Sequence, residues 1–419
     1  MGIVLFFGYT LLLGWLIYRS PFLQRSGTKP VWWLLLFIAK IAAGTGYGWF
    51  FTTLPNYEQY ADTWRIFFES RQETQWLLHD PAGFLSDLFL PRYTRDAGVL
   101  GTQNSLLNDL KDVLMVKLAA VFNLLTGSRY YVNGVLYQFV TLWGQAALVR
   151  LWSSHYPARP WWLAFAGVVA IPSVLFWCSG FHRDGLILHA MGIAAWSFYQ
   201  LLQKQGRTIP HFALLVVHML LLFLLRTYLA VFFAAGMGLW WIWLRFPKVK
   251  WRITLAAASV GVLLFFTVGK ILPGPHLPSV LSGRLHSFMQ LSGPIQSLLP
   301  MKALEPTAIG FAKALPSAMN HTLVRPYVWE LSKLTYVPAI VELLLFWVGV
   351  FMLLASIRRK KAEPLLGLEA GAFVVVILAY LIIGYTIPYL AAIIRYKAVL
   401  WPLLMPALLM RLNTQINEP

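Results

Sequence analysis

The sequence predicts an all-α, polytopic integral membrane protein, and two observations support that fold class. Hydrophobic residues make up 58% of the 419 residues and aromatic residues 16%, whereas charged residues make up only 12%. One soluble core could not bury so much apolar surface. Apolar runs of about 20 residues also recur along the chain, and a helix needs that length to cross a bilayer core about 30 Å thick.

Eleven apolar runs are interpreted as membrane-spanning helices. They cover residues 2–18, 31–53, 131–151, 160–180, 185–202, 210–225, 227–244, 253–271, 337–357, 366–386 and 390–410. The shorter segment 113–126 contains Lys117 and Asn123 and follows a stretch with periodic polar residues. It is predicted to be an amphipathic helix on the outer membrane surface.

The distribution of Lys and Arg predicts the orientation of the chain. When segment 113–126 does not cross, about half of the 34 basic residues fall in short segments on one side of the membrane, with few of the 16 acids. This positive-inside pattern places the N-terminus outside and the C-terminus in the cytoplasm. The net charge of +18 is therefore explained by topology, and no nucleic-acid partner is expected.

The predicted topology makes residues 1–419 a single transmembrane domain with two long extracytoplasmic loops, 54–130 and 272–336. Loops of this length are usually functional, because compact chains join helices in a few residues. The first loop is predicted to contain amphipathic surface helices. The single cysteine, Cys178, excludes an intramolecular disulfide and a thiolate zinc cluster.

Four cations are expected near the outer ends of predicted spans. Arg183 lies in the tight turn of FWCSGFHRDGLIL, Arg226 interrupts LLFLLRTYLAVFF, and Arg395 and Lys397 lie in IIRYKAVLWPLLMP. Ionisable groups at such depth are costly unless they face a partner or a wet cavity, so they indicate a functional site. Together they would suit an anionic phosphate, for which Arg offers a planar fork of donors.

Each residue of the turn also has a simpler interpretation. Asp184 could cap the following helix with its carboxylate. Arg183 could extend along the span end to lipid phosphate. His182 is expected to be a hydrogen-bonded surface residue rather than a metal ligand, because no second ligand stands at a suitable spacing.

Candidate acids come from the first loop. In NYEQYADTWRIFFES, Glu58, Asp62, Arg65 and Glu69 recur at spacings of four, three and four, which would place them on one face of a helix. They could form salt bridges on a surface helix. Alternatively, Asp62 or Glu58 could act as a general base that activates a hydroxyl beside a bound phosphate.

Several features together resemble the GT-C superfamily of multi-pass glycosyltransferases. They are an acidic residue just after an early span, a long first outer loop with a surface helix, the stretch LLTGSRYYVNGVLYQFVTLWG and the closing IIRYKAVLWPLLMPALL. The stretch IPSVLFWCSGFHRDGLIL also resembles a segment of uncharacterised multi-pass proteins from bacterial surface-polysaccharide loci. The likeness covers the architecture of most of the chain, and its motifs are short and degenerate.

The resemblance implies a transferase of the bacterial cytoplasmic (inner) membrane that uses a polyprenyl-phosphate-linked sugar. It makes Asp62 the counterpart of the first-loop catalytic acid, and Arg395 the counterpart of the Arg in an Arg-Tyr pattern near the last span. In the family the acid usually follows the first span within an acidic pair. Here Asp62 follows the second predicted span and has no acidic neighbour.

The resulting hypothesis is an inverting membrane glycosyltransferase or polysaccharide polymerase that acts at the outer face of the membrane. A polyprenyl-(di)phosphate sugar would be the donor and a saccharide or lipid the acceptor, both among membrane lipids. The residues with assigned roles are Arg183, Arg226, Arg395 and Lys397 for the leaving phosphate, Asp62 and Glu58 for proton transfer, and His182, Asp184 and Arg65 in support.

Cofactors and the class of function stay open at this point. No P-loop or dinucleotide-binding motif occurs, and a lipid-phosphate leaving group requires none. No cofactor follows from the residues, although Asp62, Glu58 and Asp184 could bind a divalent metal ion if the fold gathers them. The alternatives are a flippase or transporter of lipid-linked oligosaccharides and a non-enzymatic envelope assembly protein.

Overall fold

The computed structural model describes residues 2–25, 27–54, 56–88, 106–204, 208–271, 276–290, 298–330, 336–358 and 365–416. Regular structure in these ranges is helical, apart from one isolated bridge between Leu298 and Tyr389. The chain divides into two compact units. The first contains the described residues up to 88, Asp109–Arg226 and the described residues from Met405 onward. The second contains Thr227–Leu404 and, of the earlier residues, 106–108.

Twelve helices precede Arg226 in the described part of the chain. They are α1 (Gly2–Arg19), α2 (Pro21–Gln24), α3 (Pro30–Thr52), α4 (Tyr57–Tyr60), α5 (Asp62–His79), α6 (Pro81–Ser86), α7 (Leu106–Thr126), α8 (Tyr130–His155), α9 (Trp161–Val169), α10 (Pro172–Trp177), α11 (Arg183–Gln203) and α12 (Thr208–Leu225).

The remaining described α-helices follow Arg226. They are α13 (Thr227–Arg245), α14 (Lys250–Ile271), α15 (Leu277–Met289), α16 (Ala308–Leu323), α17 (Val337–Arg358), α18 (Gly367–Thr386), α19 (Leu390–Ala398) and α20 (Trp401–Ile416). The last of these begins in the second unit and ends in the first.

Eight helices in the described ranges are long and apolar enough to cross a membrane, which is consistent with the predicted polytopic membrane protein. They are Gly2–Arg19, Pro30–Thr52, Arg183–Gln203, Thr208–Leu225, Thr227–Arg245, Lys250–Gly269, Val337–Ala355 and Gly367–Thr386. A ninth is obtained if α19 and α20, bent by 62° at their junction, form one broken span.

Two apolar runs that the sequence presents as continuous are broken in the structure. The run 160–180 forms α9 and α10, and the run 390–410 forms α19 and α20. Pro172 begins α10, and Pro402 is the second residue of α20. Proline has no N–H to donate and is tolerated best in the first turn, so each proline favours a new helix start over a continuous helix.

Small residues let the helices of the first unit pack closely. Gly144 of α8 lies against the backbone of His189 and Gly192 on α11, and a side chain at Gly144 or Gly192 would overlap the opposite helix. Close approach of this kind stabilises helix pairs in membranes, where apolar burial gives little driving force. This packing fixes α8 against α11, the helix that begins with the FHRD turn.

Two helices of the predicted first loop, α5 and α7, pack beside the start of α8 in the first unit. Asn123 of α7 donates hydrogen bonds to Ser70 (2.9 Å) and Thr74 (3.0 Å) of α5 and accepts one from Asn133 of α8 (2.6 Å). Polar groups are costly to bury unless they are paired, so this network specifies how α5 and α7 dock. The predicted helix over 113–126 is thus confirmed, within α7.

Candidate functional site

The candidate site is built around the FHRD turn, Phe181–Asp184, which follows α10 and includes the first two residues of α11. Consecutive residues of α8 hold the turn: the Tyr137 hydroxyl donates to the His182 carbonyl, and the Gln138 amide donates to the Ser179 carbonyl at 2.6 Å. Tyr137 also accepts from the Leu186 amide at 3.1 Å. These contacts satisfy backbone groups that would otherwise be buried without partners.

Glycine at position 185 is required by this close approach. A Cβ there would lie 2.5 Å from both the Cys178 carbonyl oxygen and the Tyr137 hydroxyl. Real Cβ atoms essentially never come so close to backbone oxygen, so any side chain would push α11 away from the turn.

His182, rather than Asp184, caps α11. Its Nδ1 accepts a hydrogen bond from the Asp184 backbone amide at 3.2 Å, while His182 itself has an extended backbone. The imidazole is fully buried against the ring of Tyr47, with 5.0 Å between centroids. The expectations of a surface histidine and of an aspartate cap are therefore both wrong, because α8 and α3 enclose the turn.

The carboxylate of Asp184 binds Arg226 instead. Asp184 is fully buried, and its Oδ1 lies 2.9 Å from Nη2 of Arg226, whose side chain is 12% exposed. The other oxygen lies 3.3 Å from Nδ1 of His182. Arg226 stands between α12 and α13, so this ion pair ties the end of α12 to the start of α11.

Arg183 is also paired with a carboxylate, but it is more accessible. Its Nη1 lies 3.0 Å from Asp112 of α7, and a fifth of its side chain is exposed. Asp112 lies 4.0 Å from Arg65 of α5 as well. An arginine has five N–H donors, so Arg183 can donate to Asp112 and to a second anion at once.

Asp62 begins α5 at the same end of the first unit. The hydroxyl of its neighbour Thr63 donates to the Phe181 carbonyl at 2.9 Å and lies 2.6 Å from the Tyr130 hydroxyl. The ring of Tyr130 stacks on Trp64, with 4.0 Å between centroids. The start of α5 is therefore fixed against the FHRD turn, and Asp62, Arg65 and Arg183 share one region.

Glu58 does not share the helix face of the other charged residues. The chain breaks at Ala61, which has an extended backbone, so exposed Glu58 lies on α4 and not on α5. The prediction of one continuous helix face is wrong for Glu58. For Arg65 and Glu69 it is confirmed, since their side chains lie 3.7 Å apart.

The proton affinity of Glu69 on α5 is changed by its surroundings. Partial burial raises the pKa of Glu69, the Arg65 guanidinium lowers it, and the charges of Asp112 and Glu73 raise it further. Desolvation and neighbouring carboxylates both disfavour an ionised acid. Glu69 thus holds a proton more readily than an ordinary glutamate.

The other two predicted cations belong to the second unit. Lys397 is buried and donates to the Arg325 carbonyl at 3.1 Å, and its ammonium lies 5.8 Å from the ring of Tyr380 and 5.9 Å from that of Trp401. Arg395 lies half-buried on the same helix, α19. Lys397 stands at the break between α19 and α20, a feature that hydropathy alone did not show.

Three contributors to the site were not predicted from the sequence. Asp112, which bridges Arg65 and Arg183, lies in a helix interpreted only as a surface segment. Tyr130 and Tyr137, which hold α5 and the turn, look like ordinary interfacial aromatics. In the part of the chain that the structure describes, no three His, Cys, Asp or Glu residues are placed to bind a metal ion together.

Comparisons with known proteins leave the family of this chain open. Neither a family model, nor a curated protein, nor a solved structure matches it.

Proposed function

We propose that the protein is a membrane glycosyltransferase, or a related polysaccharide polymerase, that takes sugar from a polyprenyl-phosphate or polyprenyl-diphosphate carrier. The observation that carries the proposal is the hydrogen bond from Thr63 to the Phe181 carbonyl at 2.9 Å. It fixes the start of α5, the helix that begins with the first-loop acid Asp62, against the turn that carries Arg183. A base and a phosphate-binding cation in one region are what transfer from a phosphate leaving group requires.

The proposed reaction is a direct displacement. The acceptor hydroxyl attacks the anomeric carbon, its proton passes to Asp62, and the bond from that carbon to the carrier phosphate breaks with its electron pair on the phosphate oxygen. Arg183 donates hydrogen bonds to the leaving phosphate. Arg226 keeps its pairing with Asp184 and acts by holding the turn in place.

The proposed topology has eleven spans, with the N-terminus outside and the C-terminus in the cytoplasm. Eleven are obtained when α8, the α9–α10 pair and the α19–α20 pair are counted with the eight apolar helices. The 26 residues of α8 are about 39 Å long, which is enough to cross. This arrangement places the FHRD turn and the first-loop helices at the outer face of a bacterial cytoplasmic membrane.

The test is a transfer assay with purified protein in nanodiscs and radiolabelled sugar on undecaprenyl phosphate or diphosphate. Asp62→Asn and Arg183→Gln are compared with Arg71→Gln, a matched control at an exposed position of α5. Wild type and the control should transfer label, and the two site variants should lose at least about a hundredfold in rate, a typical contribution of a general base. Full activity in Asp62→Asn would contradict the proposed role of Asp62.

A transporter of lipid-linked oligosaccharides is the second candidate, and one observation favours it. Lys40, His189 and His218 gather in the membrane-embedded part of the first unit, where a transferase needs no ionisable group. Wild type that transfers no label from either donor, yet moves labelled lipid across the bilayer, would replace the transferase with a transporter.

A further inference from the structure

An arginine far from the FHRD turn lies between two aromatic rings of the first unit. The guanidinium carbon of Arg150, near the end of α8, is 4.3 Å from the ring centre of Phe22 on α2 and 4.3 Å from that of Trp196 on α11. Arg150 follows Tyr137, which holds the FHRD turn, by about 20 Å along α8. The rings fix the position of the charge and use none of the five N–H donors of arginine.

The helices around Arg150 contain no carboxylate that could pair with it. The sequence has no Asp or Glu before Glu58, none between Asp112 and Asp184, and none between Asp184 and Glu305. Helices α1, α2, α3, α8 and α12 therefore have no acid, and the acid of α11 is already paired at the FHRD turn. A charged group that is removed from water is costly unless it is paired, so Arg150 differs from the paired arginines of the candidate site.

The charged groups that act on Arg150 and its surroundings are basic as well. The charge of Arg25, an exposed residue that follows α2, acts on Arg150. Arg150 in turn acts on His211, the fourth residue of α12. Like charges repel one another, and a bound anion relieves that repulsion. A phosphate group fits best, because the planar fork of an arginine can donate to two phosphate oxygens at once.

Apolar surface beside these basic residues indicates that the phosphate belongs to a lipid. Ile209 and Phe212, on either side of His211, are 83% and 60% exposed, and their helix is apolar and long enough to cross a membrane. Such side chains contact acyl chains in a bilayer. The ring of Trp196 also lies 6.4 Å from that of Phe22 between centroids, and tryptophan is enriched at the depth of lipid headgroups.

We infer that Arg150, held by Phe22 and Trp196, binds the phosphate of an anionic phospholipid at the end of α8 remote from the FHRD turn. Arg150 donates hydrogen bonds to the phosphate oxygens, and the charge of Arg25 adds to the attraction. In the proposed topology this end faces the cytoplasm, where basic residues between helices bind the anionic lipids of the inner leaflet. The inference does not rest on sugar transfer, and none of these residues has a role in that reaction.

The test is native mass spectrometry of the detergent-solubilised protein titrated with phosphatidylglycerol. Arg150→Gln should weaken binding of the most tightly held lipid about tenfold or more, because charge-assisted hydrogen bonds to phosphate are lost. Arg150→Lys keeps the charge without the planar fork, and its affinity should fall between those of wild type and Arg150→Gln. Arg245→Gln, at the exposed last residue of α13, is the control and should bind as wild type does.

Phe22→Leu tests the ring contact without removing a charge, and it should weaken binding about threefold. Phosphatidylcholine and inorganic phosphate distinguish the source of the phosphate, and neither should displace phosphatidylglycerol at equal concentration. Displacement by inorganic phosphate would overturn the assignment to a lipid. The inference also fails if Arg150→Gln binds as Arg245→Gln does, or if Phe22→Leu binds as tightly as wild type.

Discussion

Buried basic side chains have different partners at the FHRD turn and in the core of the first unit. At the FHRD end, Arg226 faces Asp184 at 2.9 Å and Arg183 faces Asp112 at 3.0 Å. In the core, the charges that act on His189 are the basic groups Lys40 and His218. A facing carboxylate stabilises the charged form of a buried cation, whereas neighbouring basic groups each disfavour a charge on the others.

The largest expected effect comes from breaking the most buried pair of the FHRD end. Asp184→Ala leaves Arg226 without its acid and should lower the free energy of unfolding by about 4 kcal/mol. The measurement is unfolding in mixed micelles, compared with Asp184→Ala/Arg226→Met, in which part of the loss should return. A loss below about 1 kcal/mol, the value of an exposed pair, would mean that this charge is not fixed by its partner.

The second prediction concerns Lys117, another paired cation. Its loss should lower the free energy of unfolding by less than the loss of Asp184. It lies 2.9 Å from Glu73 and 3.0 Å from Asp87, with its ammonium 4.0 Å from the ring centre of Phe84. Lys117→Met should cost about 3 kcal/mol, because the buried Asp87 loses this cation although the more exposed Glu73 can regain water. Arg71→Met, at an exposed position of α5, is the control and should stay within about 0.5 kcal/mol of wild type.

The third prediction concerns a buried network of uncharged side chains at the FHRD end of the first unit. It should contribute less to the free energy of unfolding than either ion pair. Asn123→Ala removes two donors and one acceptor of the network that joins α5, α7 and α8. The expected loss is about 1.5 kcal/mol in the free energy of unfolding, since the remaining polar partners lose their hydrogen bonds. Gln72→Ala, exposed on α5, is the control, and equal losses in the two variants would contradict the network's role.

The smallest expected effect is a change in how stability depends on pH, and it arises from Glu69. Its pKa is raised in the folded protein, so its proton is bound more tightly than in the unfolded chain. The stability that this gives is fully present below the unfolded value of about 4.3 and is lost as pH rises through the folded value. Unfolding measured from pH 4 to 7 should show a steeper decline for wild type than for Glu69→Gln, and parallel curves would contradict this.

The sequence predicts the helical membrane architecture well because long apolar runs leave few alternatives in a bilayer. It also predicts the ionisable residues of the FHRD turn as important, since charge beside a span is costly. It does not predict their pairing. Asp112 is more than 70 residues from Arg183, and no local spacing connects two helices that meet only in the folded chain.

The errors in the sequence interpretation have similar causes. The surface position expected for His182 is wrong because α8 and α3 enclose the turn, as the contact with Tyr47 shows. The single helix face expected for Glu58 and Asp62 is wrong because the chain is extended at Ala61. Hydropathy alone also presents 390–410 as one run and does not show the break beside Lys397.

The measurement that tests the central claim most directly is binding of undecaprenyl phosphate to protein in nanodiscs, followed by native mass spectrometry. The account predicts that Arg183→Gln weakens binding about tenfold or more, because a charge-assisted hydrogen bond to phosphate is lost. Arg71→Gln should bind as wild type does. Equal binding by wild type and Arg183→Gln would contradict the claim that the FHRD turn holds the phosphate of a lipid carrier.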